Sequence, residues 1–133
     1  MKQELDENSR EALINYRLQR AKGTLREADI LLEQHCYNAV VNRLYYACYY
    51  AVLALLLRYN VEAHTHQGVK QMFGLHFIAT GKMENKYSRF YSQLFNDRIS
   101  GDYDDFLSFD EIQIAKMRFL AEDFINCVAR LLE

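Results

Sequence analysis

Leu44-Tyr45-Tyr46-Ala47-Cys48-Tyr49-Tyr50-Ala51-Val52-Leu53-Ala54-Leu55-Leu56-Leu57 is the longest apolar run of the 133-residue chain, and it contains no charged residue. A helix that is apolar on every side belongs in the middle of a helical assembly and not on its surface. As a helix these fourteen residues reach roughly 21 Å, short of a hydrocarbon core about 30 Å thick, so the run reads as a buried central helix with no membrane span. Its start is placed near Asn38 and its end near Tyr59, where the pattern breaks into polar residues.

On either side the apolar positions repeat with a helical period. Ile14, Leu18, Ala21, Leu25, Ala28 and Leu32 form one stripe, with Ser9 as the expected N-cap. Thr65 is placed to cap a third helix along Val69, Met72, Phe73, His76 and Phe77, which Gly81 ends. Tyr87, Phe90, Tyr91 and Leu94 mark a fourth, and the next position on that stripe is Arg98. The segment from Ile99 to Leu107, with Gly101, Asp102, Asp104 and Asp105, reads as the longest connection. Ser108 and Glu111 then match a capping box before a last helix carrying Met117, Leu120, Phe124, Val128 and Leu131. Proline is absent, which suits long helices and not a turn-rich β-sandwich. The expected fold is all-α, a five-helix up-and-down bundle with a four-helix core plus an extra helix. It forms one domain over residues 1–133, with residues 1–8 frayed.

Charge and cysteine content narrow the function classes. The net charge of −2, from 16 basic and 18 acidic side chains, gives no general grip on a phosphate backbone, so any nucleic acid would bind at a local site. Cys36, Cys48 and Cys127 are an odd set without paired spacing, against both a disulfide framework and a zinc ribbon, and a reducing cytoplasm is expected. Glu62, His64 and His66 alternate in a short connection but lack a fourth ligand. The preferred reading has Thr65 as cap and His66 hydrogen-bonded in the first turn, with no metal and no cofactor. His76, on an apolar stripe, reads as a core histidine.

Two arginines stand within otherwise apolar or aromatic stripes. Arg43 opens the central helix with Tyr46 and Tyr50 on its side, and Arg98 closes the fourth with Asp102 as its nearest carboxylate in sequence. An unpaired buried guanidinium costs several kcal/mol, so each needs a carboxylate, a tyrosine hydroxyl or a bound anion. Two readings stand: an ion pair that pins the loop to the bundle, or a ligand or catalytic site. The ten tyrosines leave a similar choice, since Tyr45, Tyr46, Tyr49 and Tyr50 cannot all face one core and some are free to meet a second subunit.

Asn42-Arg43-Leu44-Tyr45-Tyr46-Ala47, then Thr65-His66-Gln67-Gly68-Val69 leading to Phe73 and Phe77, then Arg98 with Asp102-Tyr103, resemble in order and spacing the small stand-alone HEPN domains of prokaryotes. The likeness runs from about residue 10 to the end. It implies a homodimer that works with a minimal nucleotidyltransferase protein in a toxin–antitoxin or defence system. It also implies metal-independent RNA cleavage by an arginine and a histidine a few residues apart near the end of the fourth helix. Here that arginine is Arg98, and Tyr103 stands where the histidine belongs. A tyrosine with a pKa near 10 is ionised in about one molecule in a thousand at neutral pH, a poor general base. The enzyme reading gives catalysis to Arg98, Tyr103 and Asp102 and ligand binding to Arg43, Tyr46 and His66, with Tyr103 or a nearby histidine moving the proton. The alternatives are a bundle that holds RNA or a nucleotide by its phosphate without cutting, or is modified by its partner at a tyrosine such as Tyr103, and a purely structural interaction bundle. Arg58 and His64 match the motif spacing by chance, at the wrong helix.

Overall fold

The computed structural model describes the backbone of residues 5–103 and 108–133 and the side chains of residues 5–98 and 108–133. Five α-helices follow one another: α1 (Glu7–Glu33), α2 (Tyr37–Arg58), α3 (His66–Phe73), α4 (Asn85–Tyr103) and α5 (Glu111–Leu132). There is no strand among the described residues. The expected all-α bundle is what forms, and α2 is its axis: it packs against α1 most extensively, then α5 and α4, and touches α3. Its eleven buried residues, from Val40 to Leu56, face every neighbour, which is why the run is apolar all round. By length and composition α2 would cross a membrane, yet 61% of that window is buried against the other helices, as in a core helix.

The stripes read from the sequence face this axis. Ile14, Ala21, Leu25 and Ala28 of α1, Val69 and Phe73 of α3, Tyr87, Phe90, Tyr91 and Leu94 of α4, and Met117, Phe124 and Val128 of α5 are all buried. Phe73, Tyr91 and Phe124 meet in a cluster of rings 5.4 to 5.8 Å apart, joining α3, α4 and α5. His76 is half-buried.

Several element ends differ from the expectation. Asp6, not Ser9, caps α1, accepting from the Ser9 N–H at 2.7 Å. The capping box of α5 is built by Asp110 and Gln113, not Ser108 and Glu111, with bonds of 2.8 and 2.9 Å. A cap is chosen by which residue holds the extended backbone just before the first turn, and both stretches offer several candidates within three residues. After Phe73 the helix winds one π turn, Gly74–Ile78, before ending at Gly81 with φ +79°. The segment from Ile99 to Tyr103, expected in the connection, continues α4 despite Gly101. A glycine costs an interior turn only about 1 kcal/mol, which a long helix absorbs.

The two ends of α2 are set by one device used twice. After α1, His35 takes φ +58°, with its N–H on Leu32 O at 3.0 Å and that of Cys36 on Leu31 O at 3.0 Å. After α2, Asn60 takes φ +57°, with bonds to Leu57 O at 3.2 Å and from Val61 to Leu56 O at 2.8 Å. Both are Schellman corners, which satisfy the last carbonyls and reverse the chain. Ion pairs strap the outside: Arg118 holds Asp29 of α1 at 2.7 Å, and Arg58 holds Glu11 and the Leu132 carbonyl, the latter at 3.2 Å. Arg58 is thereby occupied in the fold, apart from His64, which is exposed.

Candidate functional site

Tyr45, Tyr46, Tyr49 and Tyr50 of α2 fan outward from the axis. Tyr45 is buried, while Tyr46, Tyr49 and Tyr50 are half-buried on the side where α1, α3 and the last turns of α4 converge. Ring centroids of neighbours lie 5.2 to 6.2 Å apart, from Tyr45 to Tyr46 and from Tyr46 to Tyr50.

Arg98 reaches this cluster from α4. Its Nη1 donates to the Tyr46 hydroxyl at 3.2 Å, and its guanidinium carbon lies 5.1 Å from the Tyr45 ring centre and 5.6 Å from that of Tyr46. The ring faces thus carry part of its charge by cation–π attraction. Arg43 lies 5.2 Å from the Tyr46 ring centre and is held by Asn42 Oδ1 at 2.8 Å and Glu27 at 3.4 Å. A cleft of about 270 Å³ opens beside the two arginines, lined also by Asn38, Asn42, Asp97 and Phe109. Burial raises the Asp97 carboxyl above its usual range. The two guanidinium groups are therefore brought to one tyrosine and one cleft. Asp102 and Tyr103, the expected partners of Arg98, lie outside the described side chains.

His66 enters from the first residue of α3, where Thr65 caps the helix by accepting from Gly68 N at 2.9 Å, as expected. Its ring does not bond within that turn. It stacks on Tyr49 at 4.4 Å, meets Tyr46 edge-on at 5.7 Å, and shares a 2.8 Å hydrogen bond between Nδ1 and the Tyr45 hydroxyl. Sequence spacing offers no means of pairing His66 with Tyr45, since 21 residues and a chain reversal separate them. Partial burial, then the nearby Arg98 charge, lower the His66 pKa from 6.5, so the imidazole is neutral at pH 7. Burial pushes the Tyr45 hydroxyl up to about 12, against opposing effects of Tyr91 and Arg98.

Behind Tyr45 lies the fully buried Tyr91, whose hydroxyl lacks a well-formed hydrogen bond among the described residues but interacts with that of Tyr45. A buried hydroxyl proton needs an acceptor, and pointing it at Tyr45 is the arrangement that supplies one. With the Tyr91 proton assigned to Tyr45, the Tyr45 hydroxyl is the donor to His66 Nδ1, the tautomer in which Nε2 carries the N–H. In this tautomer His66 is a donor. With Arg98 it makes a site rich in hydrogen-bond donors on an aromatic floor, suited to an anion.

The whole helical frame has recognisable relatives. A UPF0332 protein of Thermotoga maritima is 35% identical over 126 residues, 95% of this chain and 96% of that one. A Methanocaldococcus jannaschii protein bearing the name "Putative toxin MJ0605" is 40% identical over 83 residues, 62% of each chain. A second from that organism, "Putative toxin MJ0142", is 31% identical over 87 residues, 65% of this chain and 59% of its own. The model of the HEPN domain matches residues 14–132, from the first buried residue of α1 to the last of α5. With the central helix, the four around it and nearly the full length accounted for, the chain belongs to the HEPN domain family.

Proposed function

We propose that this chain is the toxin-like member of a two-component toxin–antitoxin system and that it acts by holding RNA through a phosphate at Arg98, Tyr46 and His66. The observation that carries the reading is the meeting of the Arg98 guanidinium and the His66 imidazole on one tyrosine floor, beside a cleft that also takes Arg43. Two relatives bear names that call them toxins, which supports the toxin-like role. A minimal nucleotidyltransferase partner, a homodimer and a cytoplasmic setting belong to the same proposal and rest on family membership.

Holding is favoured over cutting. A general base needs a free lone pair, whereas His66 Nδ1 is engaged with the Tyr45 hydroxyl and Tyr103 stands where the family's histidine belongs. Incubation of purified protein with RNA in the presence of a chelator is expected to give retention without cleavage. Arg98→Ala is expected to weaken retention by about tenfold or more, the worth of a charge-assisted hydrogen bond of roughly 1.5–3 kcal/mol. Unaltered binding by Arg98→Ala would remove the site. Cleavage in chelator that disappears with Arg98→Ala would replace holding by catalysis. Growth arrest on expression, relieved by a neighbouring nucleotidyltransferase gene, tests the two-component role.

A further inference from the structure

The aromatic floor does not end at Tyr46. Tyr50 lies 6.2 Å from it, one turn further along α2, and carries a third arginine from a different helix: Arg20 of α1, with its guanidinium carbon 4.9 Å from the Tyr50 ring centre and Nη2 donating to the Tyr50 hydroxyl at 3.2 Å. Arg20 is exposed and is in no ion pair among the described residues. The order across the surface is thus Arg98, Tyr46, Tyr50, Arg20, with Arg43 against Tyr46. Two carboxylates border it, Glu27 paired with Arg43 and Asp97 beside the cleft.

Adjacent rings flanked by cations suit a single-stranded nucleic acid, since a ring takes a base face of any sequence and each cation takes a phosphate. A duplex offers no free base faces. Core packing accounts for only part of the outer pair: Tyr50 packs one side against the core and stays half-exposed, and Arg20 lies outside the core. We infer that Tyr50 and Arg20 form a second nucleotide position, in which the base next to the phosphate held at Arg98 stacks on Tyr50 and the following phosphate takes Arg20. The inference rests on the phosphate reading above and adds to it a preference for unpaired strands and a dependence on length.

The test compares a uridine mononucleotide, a 2′-O-methyl pentauridylate and a 2′-O-methyl duplex by calorimetry. Pentauridylate is expected to bind at least tenfold tighter than the mononucleotide, in line with stacking of roughly 1–3 kcal/mol per base, and the duplex no better than the mononucleotide. Tyr50→Ala is expected to abolish that gain, while Tyr50→Phe, which keeps the ring, retains most of it. Arg20→Ala is expected to flatten the log–log salt dependence of pentauridylate binding by about 0.7, the value for one phosphate on a single strand. The inference is overturned if pentauridylate gains nothing over the mononucleotide, or if Tyr50→Ala and Arg20→Ala leave the gain intact. It is equally overturned if Tyr50→Ala turns a dimer into a monomer, which would place the ring between subunits. Mononucleotide binding that is lost in Arg98→Ala, with no gain for pentauridylate, sinks only the second position. No binding of either probe sinks the phosphate reading and this one together.

Discussion

At the scale of the residue, the site hangs on hydroxyl protons. Tyr45→Phe removes both the acceptor facing Tyr91 and the donor to His66, and it is expected to cost about 1–3 kcal/mol in urea unfolding, because a buried hydroxyl is left stranded. Adding Tyr91→Phe removes the stranded group, so the double variant is expected to be more stable than the two single losses would sum to. The His66 shift gives a pH signature. Its folded value lies below the 6.5 of the unfolded chain, so as pH falls through 6.5 the unfolded chain binds a proton that the folded chain declines. Stability is therefore expected to drop from pH 6.5 down to the lowered folded value, and His66→Gln to flatten the melting temperature over that interval. The arginines were legible from the sequence, because a charge in a greasy stripe is conspicuous at helical spacing. The neighbours of His66 were not, because they depend on how α3 is laid across α2.

At the scale of the element, type and order were legible and ends were not. Apolar spacing reports which face is buried over many residues and so averages out error, whereas a cap rests on one backbone conformation that Ser108 and Asp110 are both equipped to hold. Asp110→Ala is expected to cost about 1 kcal/mol, near 4 °C in melting temperature, while Ser108→Ala changes little. The π turn after Phe73 was hidden for a related reason: Phe73 and Phe77 are four apart and buried whether the turn is wound as α or π. The Schellman corners carry a cost that sequence pattern does not show. His35 holds a left-handed backbone without being glycine, and among the described residues its ring bonds only to Tyr37 at the surface. His35→Gly is expected to raise stability by up to about 1 kcal/mol, measured by thermal melting, with no change at the site.

At the scale of the whole molecule, one helix takes part in the most extensive packing contacts. α1, α3, α4 and α5 each touch α2, so no pair of helices can separate from the rest without uncovering it. Opening of the α2 backbone should then require nearly the full unfolding free energy, while the outer turns of α1 and α5 open more cheaply. In deuterated buffer the amides of Leu44 to Leu55 are expected to be the last to lose their protons, all at one common rate. Because Tyr45, Tyr46 and Tyr50 ride on that slowest segment, the aromatic floor keeps its spacing for as long as the chain is folded at all, and whatever adapts to a guest must be the arginines that come to it from outside.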